Sequence, residues 1–182
     1  MERAVSGDRY GATVEKGMGL EEGLNLIHRW EIQCFDKDGN LKWEEIIEKN
    51  LVTTAGLNKY LDATIKTGLT TPLWYVGLKD TGTPVIADTM ASHASWATIT
   101  PYSDASDPAY TPGTIAGGSV DNSASKAVFN INATDDVYGA FIKDNSAKAG
   151  ATGTLLCVGN FTAPRSVVNL DTLNVQITLT IS

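Results

Sequence analysis

The stretch Leu173-Asn174-Val175-Gln176-Ile177-Thr178-Leu179-Thr180-Ile181 alternates apolar and polar residues without a break. Successive side chains of a strand point to opposite faces, so this alternation puts every apolar residue on one side. A helix would scatter the same residues around its surface. The stretch therefore predicts a strand of an antiparallel sheet that is dry on one face and wet on the other. A strand at this position also ties down the end of the chain.

Working outward, Trp30-Glu31-Ile32-Gln33-Cys34 shows the same period within a hairpin predicted over 24–52. Its turn is Asp36-Lys37-Asp38-Gly39-Asn40, where Gly39 supplies the positive φ that a tight turn needs. The return strand sets Trp43 and Ile47 on one face. Further strands are predicted at 73–79, 97–101, 126–131, 138–143, 154–161 and 167–181. About eight strands separated by Gly, Pro, Ser and Asp clusters make the fold mainly β, an antiparallel sandwich or barrel. One short α-helix is predicted at about residues 54–67. Thr53 or Thr54 caps it, and Leu57, Tyr60, Leu61 and Ile65 form an apolar stripe laid against a sheet. Gly68 is its natural stop.

Two segments lie outside this pattern. Residues 1–23 carry glycines at 7, 11, 17, 19 and 23 and no period, and read as an extended N-terminal arm that wraps a neighbour or crosses its own domain, the alternative being a frayed tail. Residues 24–182 then form a single β-rich domain. Within it, 103–125 reads as a long loop rich in Pro and Gly, of the kind that is either functional or pinned by a partner.

Composition narrows the function classes. Charged residues are 19% of the 182, below the roughly 25% of typical soluble domains. A net charge of -7 argues against a nucleic-acid binder, which needs a basic face. No apolar run approaches the roughly 20 residues that span a bilayer, and the first residues have no hydrophobic segment, so a signal peptide is not expected there. Two cysteines, Cys34 and Cys157, allow one disulfide, but without a secretion signal they read as small buried hydrophobes of a protein made in a reducing cytosol.

The search for chemistry centres on Trp74-Tyr75-Val76-Gly77-Leu78-Lys79 and the following segment Asp88–Trp96, which contains His93. His93 lies near Ser92, Ser95, Asp88, Asp104 and Asp107 in sequence, so an acyl-transfer site is conceivable. No Gly-x-Ser-x-Gly elbow supports it. The alternative is a structural hub: a short helical turn capped by Asp88, with Met90 and Trp96 turned inward and His93 holding backbone. Trp74 and Val76 would then face the core, and Tyr75 and Lys79 the other side of their strand. His28, within the first strand, reads as a satisfied structural histidine. Asp36, Asp38 and Asn40 alternate like calcium ligands, but neither Gly nor Glu stands where an EF-hand requires it. Asp135-Asp136 reads as a turn rather than a glycosidase pair. Two histidines and two cysteines far apart give no zinc spacing. No catalytic, cofactor-binding or metal-binding residues are assigned, and no cofactor is expected.

The order of features also carries a resemblance. The Asp-Gly-Asn hairpin, Trp43-Glu44-Glu45, Asn50-Leu51-Val52-Thr53-Thr54-Ala55-Gly56-Leu57, the helix, Trp74-Tyr75-Val76-Gly77-Leu78, and Ala87–Trp96 with Tyr102-Ser103 follow one another. This run, roughly residues 25–105, resembles small virion structural proteins of tailed bacteriophages and prophages. The resemblance implies a non-enzymatic component made in the host cytoplasm and carried in the virion. Together with the arm and the acidic charge, it points to a capsid decoration (cement) protein. Such a protein would form a homotrimer that binds the outer surface of the major capsid protein shell, with no nucleic-acid or membrane partner. A tail, neck or fibre-associated component, with a host-binding β half, is the alternative. A hydrolase using His93 is a remote third.

Overall fold

A computed structural model describes residues 26–48, 50–66 and 73–181. The expected arm at 1–23 and the Gly68 stop lie outside the described residues. The chain is mainly β, with two antiparallel sheets stacked as a sandwich and a single α-helix among the described residues. No helix among them is long and apolar enough to cross a membrane.

The first sheet is built on the hairpin and the C-terminal strand. Strands β1 (Leu26–Phe35) and β2 (Leu41–Ile47) are joined by the Asp36–Asn40 turn. There the Asp36 carboxylate accepts the amides of Asp38 and Asn40, and Gly39 has φ 82°. The last strand, β11 (Thr172–Ile181), runs antiparallel to β1 from Leu26↔Ile181 to Phe35↔Thr172. This register matches the two alternations. His28, Trp30, Ile32 and Cys34 of β1 and Leu173, Val175 and Ile177 of β11 are all fully buried. Burying such side chains contributes about 1.5–3 kcal/mol each for the large apolar ones, so a slip of one residue would forfeit the core face.

The second sheet holds β3 (Leu51–Val52), β4 (Trp74–Lys79), β5 (Thr98–Ile99), β9 (Asp135–Lys143) and β10 (Leu155–Val167), with β10, β9 and β4 at its centre. Asp135 and Asp136 open β9 rather than forming a turn between strands. Strand β10 runs on through Pro164 to Val167, past its expected end at 161, and the last strand begins at Thr172 rather than at 167. A break in register between Asn160 and Arg165 accommodates the extension, as bulges and prolines do at irregular strand positions.

The expected long loop at 103–125 is not structureless. It contributes β6 (Ala109–Tyr110) to β4 of the second sheet and β7 (Ser119–Asp121) to β11 of the first. It therefore bridges both layers. Strands of two or three residues are too short to display a period, which is why Pro and Gly dominated the reading. Strand β8 (Ala127–Asn130) completes the first sheet beside β11.

Helix α1 (Thr54–Ile65) begins where expected, with the Thr53 hydroxyl accepting the Gly56 amide. The stripe does not face the sheet as expected. Leu57, Leu61 and Ile65 are exposed, Ile65 by 77%. Gly56 and, one turn on, Tyr60 make the inward face instead. The physical reason is close approach: a Cβ on Gly56 would sit 2.2 Å from the Leu156 carbonyl oxygen, so the helix backbone rests directly on β10. Gly56→Ala must push the helix off the strand and is expected to cost about 2 kcal/mol. Urea unfolding measures it; a loss below about 0.5 kcal/mol would mean that the helix docks differently.

Candidate functional site

The segment 80–97 lies over the outer face of β4 and β9. The parity of β4 is as read: Trp74, Val76 and Leu78 face the main core, while Tyr75, Gly77 and Lys79 face outward. Above that outer face Met90, Trp96, Phe141, Leu155 and Val158 form a second, smaller core. Met90 and Trp96 do turn inward. Residues 85–96 form tight turns and a Thr89↔Ser92 bridge rather than the expected helical turn. Asp88 closes the turn from Val85, its carboxylate accepting both the Val85 amide at 2.8 Å and the Trp96 indole N–H at 2.9 Å.

His93 stacks on Trp96 with ring centroids 4.1 Å apart. Its Nδ1 donates to the Trp96 carbonyl at 2.9 Å, which leaves Nε2 without a proton in the neutral ring. A shallow open depression of about 460 Å³, lined by Met90, Ser92, His93 and Thr98 among others, lies beside it. The acids that sequence placed nearby are held elsewhere. Asp88 serves Trp96 and Val85, Asp104 accepts from the amide and side chain of Asn130, and Asp107 faces Lys143. Ser95 donates to the Thr83 carbonyl at 2.6 Å. Among the described residues no hydrogen bond joins His93 to a serine or a carboxylate, so the nucleophile, base and orienting acid of an acyl-transfer site are not brought together.

His28 sits inside the sandwich. Asn50 donates to its Nδ1 at 2.8 Å, and its Nε2 donates to the Tyr60 hydroxyl at 2.9 Å, so the ring is neutral with the proton on Nε2. Burial lowers its pKa to about 4. The contact joins the first sheet to α1 and explains why Tyr60 turns inward. Both cysteines are buried and free, and burial pushes the Cys34 thiol up to about 12.

Sequence reading missed a polar network around the loop. Lys143, fully buried at the end of β9, lies 2.7 Å from Asp107 Oδ2. This oxygen is outside hydrogen-bonding geometry, so the contact is an ion pair rather than a linear bond. Asp107 Oδ1 accepts the Tyr102 hydroxyl, and Lys143 donates to the Ala147 carbonyl at 2.6 Å. Burial and the Asp107 contact together raise the Tyr102 pKa. Lys148 reaches the Tyr102 and Asp104 carbonyls and lies 4.2 Å from the Tyr102 ring centre. Lys79 is likewise fully buried and donates to the carbonyls of Asp80 and Gly82, at 2.7 and 2.6 Å. Burial draws its pKa down to about 8. Lys79 and Lys143 thus hold the backbone of a connecting segment against the second sheet, and Lys148 ties one connecting segment to another. No sequence motif marks them; the only hint is that Lys79 and Lys143 both end apolar strands.

No family model matches the chain, and no curated protein matches it in sequence.

Because the unfolded ring titrates near 6.5 and the folded ring near 4, the unfolded chain binds the extra proton between those values. Stability supplied by neutral His28 is full above about pH 6.5 and falls by about 3 kcal/mol as pH drops through 4. Denaturant titrations at pH 7 and pH 4 should show this loss in the parent and a smaller one in His28→Gln. Equal losses in both would place the acid sensitivity elsewhere.

Proposed function

We propose that this chain is a non-enzymatic virion structural protein of a tailed phage. In the proposed role it is a capsid decoration (cement) protein, docking as a homotrimer on the outer surface of the major capsid protein shell. The observation that carries the reading is the outward stripe of α1. Leu57, Leu61 and Ile65 are exposed on α1, by 37, 60 and 77%. An apolar helical face turned to water marks a surface that gains by burial against a partner. Two further features support it. The net charge of -7 suits docking onto a complementary surface. His93 and Ser95 each hold a backbone carbonyl, and Asp88 holds the Val85 amide and the Trp96 indole, which fits a chain acting through its surface. The trimer and the capsid location rest on the resemblance of residues 25–105 to small phage virion proteins taken together with the arm expected at 1–23 and the acidic charge.

Mechanistically, such a subunit stabilises a shell by mass action, since whatever binds the assembled state shifts the equilibrium towards it. Many weakly apolar contacts repeated over a symmetric lattice achieve this without chemistry.

Leu61→Lys should weaken binding of the purified chain to mature capsids by at least about tenfold, while its unfolding midpoint changes by less than about 0.5 kcal/mol. Co-sedimentation with capsids and denaturant unfolding read the two effects. Failure of the parent chain to bind capsids would remove the decoration reading. Copy number then separates the remaining location: hundreds per particle for decoration, a few tens or fewer for a neck or tail part. A His93→Ala variant that binds normally but loses a measured hydrolytic activity would instead favour an enzyme.

A further inference from the structure

A second apolar feature lies at the open end of the sandwich. A groove of about 270 Å³ is lined by Tyr60 of α1, Ile115 and Val120 of the bridging loop, and Leu179 and Ile181 of β11. Ile115 is 75% exposed and Ile181 43%. The groove continues the core face of the first sheet, since Leu179 pairs with His28 and Ile181 with Leu26. His28, in turn, touches Tyr60 on the groove wall.

The chain enters the described fold at this place. Leu26 is the first described residue, and residues 1–25 precede it. The segment next to the entry is Gly17-Met18-Gly19-Leu20-Glu21-Glu22-Gly23-Leu24-Asn25. Its three large apolar residues, Met18, Leu20 and Leu24, all fall on even numbers. So do Leu26, His28, Trp30, Ile32 and Cys34, the inward residues of β1. In the sequence, the even-numbered apolar pattern of β1 thus continues back to Leu24 and Leu20. Glu22 is the one departure.

We propose that residues 18–25 of the same chain cover this groove, with Leu24 and Leu20 set against Tyr60, Ile115 and Ile181. Reach permits it. An extended chain advances at most about 3.3–3.6 Å per residue, so Leu24 lies within about 7 Å of Leu26 and Leu20 within about 20 Å. Connectivity favours the same chain over a neighbour, because a tethered segment meets its groove at a high effective concentration. The glycines at 19 and 23 allow the backbone to bend over the groove rim. The exposed stripe Leu57, Leu61 and Ile65 stays outside this cover and remains open to a partner.

The test uses the full chain carrying Leu24→Cys and Ile115→Cys, oxidised as an equal mixture of isotope-labelled and unlabelled copies. Peptide mass mapping reads which positions join. The expected result is a disulfide between positions 24 and 115 within one copy, with none formed when Leu24→Cys is combined with Ile46→Cys on the outer face. A mixed-label disulfide would assign the groove to the arm of a second copy and overturn the proposal, as would no disulfide at all. Hydroxyl-radical labelling of the parent chain gives the same answer without substitutions. Ile115 and Ile65 are 75 and 77% exposed when the groove is open. Covering should slow labelling of Ile115 at least threefold relative to Ile65, whereas equal rates would overturn the proposal.

Discussion

The ion pair between Lys143 and Asp107 is the constraint on which the rest of the molecule turns. Both side chains are essentially dry, at 0 and 2% exposure. Two buried charges are tolerated only where each has the other and further hydrogen bonds satisfy what remains. Tyr102 and the Ala147 carbonyl supply those bonds. Asp107 sits between the core strands and the bridging loop, with its amide bonded to the Ser146 carbonyl at 2.9 Å. Next to it, the Pro108 carbonyl accepts the Val76 amide at 2.9 Å. Fixing Asp107 thus fixes the start of the segment that reaches both sheets through β6 and β7. A loop anchored at a charged, dry point has one position, because every displacement strands a charge.

The same economy recurs elsewhere in the fold. Lys79 secures the turn after β4, Asp88 secures Trp96, and Glu45 on β2 meets Arg165 on β10 at 2.6 Å, tying the two sheets together at their margin. Polar side chains here hold backbone in place instead of converging on an open cleft. Helix α1 follows a different rule: its inward side is a glycine and a tyrosine, and its leucines and isoleucine face out. The result is a sandwich with anchored connecting segments and an apolar helical stripe turned to solvent.

Much of this was legible in the residues. The alternation in Leu173–Ile181 and in Trp30–Cys34 set both the strands and their inward faces, because a half-buried sheet writes its burial directly into a period of two. The parity of Trp74–Lys79 and the inward turn of Met90 and Trp96 were equally readable. The orientation of α1 was not. A period of 3.6 shows that a helix has an apolar side, but what that side meets depends on close approach at Gly56, a tertiary fact. Lys79 and Lys143 were hidden for a related reason. Each is a polar residue on the outer face of a strand, and its burial arises from a segment that folds over it from elsewhere in the chain. Strands β6 and β7 escaped because two or three residues cannot display a period.

The most direct measurement is a double-mutant cycle between Lys143→Met and Asp107→Leu, read by equilibrium unfolding. If the pair pins the loop, each single change leaves a buried charge alone and costs about 3–5 kcal/mol. The double change should then cost less than the sum of the two by on the order of 3 kcal/mol. Additivity to within about 0.5 kcal/mol would show that the two charges do not hold one another, and would contradict the account.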